Sequence, residues 1–217
     1  MARLKTGALI SGSGTNLQAL LDAAASPDYP AEITLVISNK ADAPGLARAE
    51  KAGVATQVID HRDYADRAAF DAALDSALKA AACEFVCLAG FMRLLTPAFA
   101  EAWRDRLINI HPALLPSFKG LDAQAQALAA GARISGCTVH FVRPEMDAGP
   151  IIVQGAVPVL EGDDEAALAA RILEVEHRIY PLALRLIADG RVSVAGDRVR
   201  ITGAEGDAGA VLISPSG

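Results

Sequence analysis

Apolar positions along the chain fall into short runs separated by turns rich in glycine, proline and aspartate. Residues 4–10 form a β-prone run that gives way to SGSGTN and then to LQALLDAA, which predicts a strand, a glycine loop and a helix. EITLVIS predicts a second strand, the Ala-rich residues 43–52 a helix stopped by Gly53, and VATQVID a third strand. Residues 62–82 read as helix, FVCLAG as a strand apolar on both faces, and residues 97–103 as a short helix opened by Thr96 and Pro97. RLINIHP supplies a fifth strand stopped by Pro112. The βαβαβ rhythm predicts a parallel α/β sheet.

That rhythm pauses at HPALLPSFKG, whose prolines and glycine predict an irregular loop at the end of the fifth strand. Residues 121–130 read as helix, and CTVHFV and PIIVQGAVPV as strands joined by the polar RPEMDAG, an antiparallel extension. Asp163 and Asp164 are placed to cap a long helix reaching about Leu186, which Pro181 is expected to bend or interrupt. RVSVAGDRVRI predicts a terminal hairpin turning at Gly196 and Asp197. The expected organisation is one domain over residues 1–203 and a flexible tail over residues 204–217.

Composition narrows the class. A chain of 217 residues that is 52% hydrophobic and 21% charged can fill a core, which excludes large-scale disorder. The net charge of −6 leaves no general basic field for a nucleic-acid backbone, although a small anion can still be held locally. Cys83, Cys87 and Cys137 follow no metal-ligand spacing and suit a reducing compartment, and the apolar run after MARLKTG is too short for a signal peptide or a membrane span. Cytoplasmic residence is the expectation.

Candidate chemistry lies at the predicted strand ends. In SGSGTN, backbone N–H groups around Gly14, Thr15 and Asn16 can converge on a phosphate at a helix N-terminus, whereas a tight turn with a Thr15 or Asn16 cap explains the same residues structurally. Neither the dinucleotide nor the P-loop glycine spacing is met. Asn109 and His111, two apart on an extended segment, project to one side. The histidine suits acid–base work and the amide suits an oxyanion, yet both can instead satisfy loop backbone groups. Asp147 follows the CTVHFV strand, where a carboxylate either orients His111 or is a solvated turn residue. Phe91, Met92, Leu94 and Leu95 around Arg93 either line a ligand pocket or form a core edge. His140 reads as structural, His61 and His177 show no ligand spacing, and no metal site is expected.

Taken in order, ISGSGTNLQAL, AGFMRLL, NIHPALLPSFKG and VHFVRPEMDAGPIIVQ closely resemble the phosphoribosylglycinamide formyltransferase family, the folate-dependent glycinamide ribonucleotide transformylases. The resemblance spans roughly residues 5–200. It implies a Rossmann-like formyltransferase fold, a mostly parallel central sheet flanked by helices with an antiparallel C-terminal extension. It further implies transfer of a formyl group from 10-formyltetrahydrofolate, the co-substrate, to the amine of glycinamide ribonucleotide, with no metal. The family's catalytic positions correspond to Asn109, His111 and Asp147. Its ribonucleotide contacts map onto Gly14, Thr15, Asn16, Arg67 and Glu176, and its folate contacts onto Met92, Arg93, Leu95, Val142, Arg143 and Asp147.

One departure is that KGLDAQ carries Asp122 and Gln124 where many relatives have histidine shortly after the KG, which puts a helper histidine from that loop in doubt. Methionyl-tRNA formyltransferases share an HPSLLP-like loop, and formyltetrahydrofolate hydrolases share the chemistry. Both classes carry a further domain, and the first needs a basic surface. A non-catalytic folate- or phosphate-binding protein is a third alternative, one that could dispense with the Asn, His and Asp set. The expected partners are the two small-molecule substrates, without nucleic acid or membrane, for a monomer or homodimer.

Overall fold

The computed structural model describes residues 2–203 and 212–215; most of the expected tail, residues 204–217, therefore lies outside the described residues. The chain forms two compact units, one of Met1–Asn109 with Phe141–Pro144 and one of Ile110–His140 with Glu145–Gly217.

In the first unit, strands β1 (Leu4–Ile10), β2 (Ala31–Ser38), β3 (Ala55–Val58), β4 (Phe85–Leu88) and β5 (Leu107–His111, whose last two residues belong to the second unit) run parallel in the order β3-β2-β1-β4-β5. The last five residues of β1 and all of β4 are buried, as strands covered on both faces must be, whereas the edge strand β3 is largely exposed. The connecting helices are α1 (Thr15–Ala24), α2 (Pro44–Lys51), α3 (Arg67–Ala80) and α4 (Pro97–Ala102). Leu74 and Leu78 of α3, with Phe99 and Trp103 at α4, close a core over Leu9, Val86 and Leu107. Each such side chain contributes roughly 1.5–3 kcal/mol relative to exposure.

Strand order reverses direction between β1 and β4, so the crevice at their carboxyl ends is the topological switch point, the usual ligand position in open α/β sheets.

In the second unit, α5 (Ala123–Ala129) precedes the antiparallel strands β6 (Ile134–Phe141, whose last residue belongs to the first unit) and β7 (Ile151–Pro158). The 24-residue α6 (Glu165–Ala188) packs on β7, and β8 (Val192–Ala195) pairs with β9 (Arg198–Ile201) as the expected hairpin. This is the Rossmann-like α/β class with parallel strands, flanking helices and an antiparallel C-terminal pair. No described helix is long and apolar enough to cross a membrane.

Three local expectations change. The helix expected over residues 62–82 begins at Arg67, because two aspartates cap in succession. Asp60 accepts the Arg62 N–H and closes a 3-10 turn over His61–Asp63, Tyr64 is extended, and Asp66 accepts the Ala69 N–H to start α3. Pro181 does not interrupt α6: the hydrogen bond it removes is outweighed by burial of Ile179, Tyr180, Ala183 and Leu184 on either side. Only Asp164 caps that helix, through the Ala167 N–H; Asp163 instead accepts the Leu160 N–H and forms a two-pronged ion pair with Arg171.

Candidate active site

The glycine loop leaves β1 at the switch point. Gly14 is the N-cap of α1 in the left-handed region (φ 70°) and brings no capping side chain, so the Thr15 or Asn16 cap reading does not describe this turn. A Cβ at Gly14 would lie 2.6 Å from the Gly45 Cα, which shows how closely the loop approaches the start of α2. The Gly45 N–H donates to the Gly12 carbonyl at 3.0 Å, and Arg48 Nε donates to the Ser13 carbonyl at 2.8 Å. The first-turn N–H groups of α1 thus carry no side-chain cap, and a guanidinium lies beside them, an arrangement favourable to an anion. The sequence reading missed Arg48, since nothing in its α2 spacing marks it.

The segment after β4 is tied to the same loop. Ser11 Oγ accepts the Met92 N–H at 2.8 Å and donates to Asn39 Oδ1 at 2.5 Å, and the Ser11 N–H donates to the Gly90 carbonyl. At the other end of the segment, Asp71 Oδ2 accepts the Thr96 N–H at 2.6 Å. Between these ties Met92 is 68% exposed, Leu94 and Arg93 are exposed, and Leu95 packs on the core. Val142 also packs on that core. The Arg143 side chain is engaged with Asp105 at 2.5 Å and with the Val142 carbonyl, which leaves backbone groups as what its position can offer a ligand. Arg67 is exposed at the first turn of α3, a helix end where a cation is disfavoured by the dipole.

In the second unit His111, at the carboxyl end of β5, has 6% side-chain exposure, and Asp147 has 10%. His111 Nδ1 lies 3.5 Å from Asp147 Oδ2, and Nε2 lies 2.9 Å from the Phe118 carbonyl. A carbonyl only accepts, so the hydrogen of that bond belongs to Nε2, leaving Nδ1 toward the carboxylate. Asp147 Oδ2 also accepts the Gly120 N–H at 2.9 Å, while Oδ1 is 3.7 Å from Nε2 of the buried His140. The solvated-turn reading of Asp147 therefore fails, and His140, expected to be structural, stands on the other side of that carboxylate. Only the fold could reveal this, because seven residues separate the two and the intervening loop sets the angle.

The loop after β5 holds this cluster. Thr138 Oγ1 accepts the Leu115 N–H and donates to the Ala113 carbonyl, and Gln154 donates to the Leu115 carbonyl. Gln126 donates to the Lys119 and Leu121 carbonyls, so the polar tie in the KGLDAQAQ stretch comes from Gln126, while Asp122 takes a left-handed backbone at the start of α5. Phe118 and Asp147 are themselves left-handed, at φ 54° and 51°. For a bulky residue such as phenylalanine that is strain, held at the residue whose carbonyl engages His111.

Elsewhere in this unit, Glu176 is buried on α6, and its charge adds to burial in pushing the Cys137 thiol up to about 12, which makes that thiol unreactive. Asn109 lies two residues before His111 on β5, at the end of the first unit's part of that strand. No group of three or more His, Cys, Asp or Glu side chains able to hold a metal ion occurs among the described residues.

A buried histidine between a carboxylate and a backbone carbonyl is equipped for acid–base group transfer, and the glycine loop of the other unit suits a small anionic group; each feature taken by itself fits a Rossmann-like transferase. The formyl transferase family model matches residues 4–184, and the chain belongs to that family. It is 46% identical over 186 residues to the phosphoribosylglycinamide formyltransferase of Escherichia coli (strain K12), covering 86% of this chain and 88% of that one. It is 52% identical over 192 residues to the trifunctional purine biosynthetic protein adenosine-3 of Gallus gallus, where it covers 88% of this chain but spans only 19% of that protein. The crystal structure of glycinamide ribonucleotide transformylase 1 from Symbiobacterium toebii superposes with a TM-score of 0.90 at 54% identity, covering 92% of this chain and 94% of that one.

Proposed function

We propose that this protein transfers the formyl group of 10-formyltetrahydrofolate to the amine of N1-(5-phosphoribosyl)glycinamide, giving N-formylglycinamide ribonucleotide and tetrahydrofolate in de novo purine biosynthesis. The observation that carries the reading is its near full-length likeness to stand-alone enzymes of that name, with the His111–Asp147 pair intact. Residues 1–203 act as one formyltransferase domain, a reading supported by a family match that includes residues of both units. The enzyme works in the cytoplasm, in keeping with cysteines at 83, 87 and 137 that are buried thiols, as a monomer or homodimer on small molecules, without nucleic acid or membrane.

Asn109, His111 and Asp147 carry the chemistry. The substrate amine forms a bond to the formyl carbon, and the carbonyl π electrons move onto oxygen. The Asn109 amide and the His111 Nε2–H, which here is given to the Phe118 carbonyl, donate to that oxyanion. In the imidazolium form that does this, the ring also carries Nδ1–H, which donates to Asp147 and so fixes the ring. Collapse of the oxyanion breaks the bond to the folate nitrogen, which takes the proton released by the amine. Gly14, Thr15 and Asn16 hold the phosphate, with Arg67 assisting and Glu176 at the glycinamide end; Met92, Arg93, Leu95, Val142, Arg143 and Asp147 receive the folate.

Purified protein incubated with 10-formyltetrahydrofolate and glycinamide ribonucleotide should release both products. Controls with initiator tRNA, or with water as the only acceptor, should give none. Formyl transfer to tRNA, or hydrolysis independent of the ribonucleotide, would replace this reading.

A further inference from the structure

The segment between β4 and α4 carries Met92, Arg93 and Leu95, yet no regular secondary structure spans residues 91–96. It is held at its two ends by side chains from other elements. At the start, the buried Ser11 accepts the Met92 N–H, and its own hydroxyl proton is committed to Asn39 Oδ1. Asn39 is itself buried and approaches His61 Nδ1 at 3.4 Å, which fixes the direction of the serine proton and leaves a lone pair toward Met92. At the far end, Asp71 accepts the Thr96 N–H, and Thr96 Oγ1 in turn accepts the Phe99 N–H at the start of α4.

Asp71 is an expensive choice for such a tie. It is 3% exposed, and its Oδ1 has no hydrogen-bond partner in the structure. A buried carboxylate satisfied on one oxygen is disfavoured relative to an apolar residue of that volume, so its presence calls for a reason beyond packing. A charge-assisted bond to a backbone N–H holds a short loop more stiffly than a neutral one.

We infer that Ser11 and Asp71 are positioning residues that clamp the two ends of the 90–96 segment and so set its exposed residues for the folate. This rests on the functional reading above. Ser11 stands at the start of the glycine loop, but that loop keeps its own ties, from Gly45 to Gly12 and from Arg48 to Ser13, so losing the Ser11 hydroxyl frees the 90–96 segment alone. Neither clamp touches a reacting atom.

The test compares Ser11→Ala and Asp71→Ala with Ser11→Thr and Asp71→Asn, which keep an oxygen able to accept the same N–H. The alanine variants should raise KM for 10-formyltetrahydrofolate about tenfold and weaken calorimetric binding of tetrahydrofolate by a similar factor. KM for the ribonucleotide and kcat should stay within about twofold, and the conservative variants should recover most of the loss. A merely structural role would lower the melting temperature and the active fraction and leave both KM values unchanged, which overturns the proposal. Equal rises in both KM values, or an Ser11→Ala protein that binds tetrahydrofolate like the wild type, also overturn it. Should Asp71→Ala fail to fold, Ser11→Ala and Asp71→Asn decide: a tenfold rise in folate KM for Ser11→Ala beside a near-wild-type Asp71→Asn supports the clamp, and a folded Asp71→Asn with the full tenfold rise overturns it. A wild type that binds tetrahydrofolate but makes no formylglycinamide ribonucleotide overturns the functional reading while leaving the clamp measurable by binding. A wild type that does neither overturns both.

Discussion

Around the glycine loop, geometry is set by atoms that are missing; around His111, it is set by charged and polar groups that are present. Gly14 and Gly45 let two backbones approach to a distance no Cβ would allow, and what remains to meet a ligand is main-chain N–H. At His111 every polar atom of the ring and of Asp147 has a neighbour, supplied by Phe118, Gly120 and His140. The first arrangement offers a ligand fixed dipoles that need no proton inventory, while the second consists of groups able to exchange a proton. Added atoms should therefore damage the first, and removed atoms the second.

The largest effect tests the second region. His111→Ala should lower kcat by about 10³-fold with the fold intact, because it removes the group assigned to the oxyanion and proton. Single-turnover assays with circular dichroism check this, and a loss under threefold would break the contrast. Asp147→Asn, which keeps the volume and one acceptor oxygen but not the charge, should lower kcat by about 10²-fold and leave the affinity for the ribonucleotide nearly unchanged. If affinity fell instead of kcat, Asp147 would serve the loop through Gly120 rather than the ring.

Gly14→Ala should do the opposite. The new methyl group meets the Gly45 Cα, and the residue is left-handed, so stability should fall by about 1–3 kcal/mol in urea titrations. KM for the ribonucleotide should rise with little change in kcat among folded molecules. The smallest effect separates charge used for chemistry from charge used for holding. The Arg171 guanidinium keeps the Asp163 carboxyl down at about 2, so the stability it lends is full above the ordinary carboxylate range and is lost as pH falls from about 4 to about 2. Asp163→Asn should lower the urea midpoint at pH 7, match the wild type near pH 2, and leave kcat unchanged.

Much of this is legible in the sequence. The buried strands were readable because parallel strands covered on both faces are continuously apolar, and the hairpin because Gly196 and Asp197 suit its two-residue turn. The start of α3 was missed because Asp60 and Asp66 both cap, and the sequence does not show that the first opens only a 3-10 turn. Pro181 does not interrupt α6, because a single lost hydrogen bond is visible in sequence and the burial that offsets it is not.

The site divides in the same way. Asn109, His111 and Asp147 are visible in sequence as polar residues at strand ends, where catalytic and loop-satisfying readings both fit, and it is the family resemblance that selects the catalytic one. The order of four motifs along the chain was enough to point to a formyl-transfer family. Tertiary structure alone brought His140 to Asp147, put the Phe118 carbonyl on the imidazole, laid Arg48 beside the glycine loop and closed Ser11 and Asp71 on the 90–96 segment. Those contacts join residues far apart in the chain, or turn on backbone angles that side-chain identity does not specify. Residue type states which chemistry is available, and distance decides which of it is used.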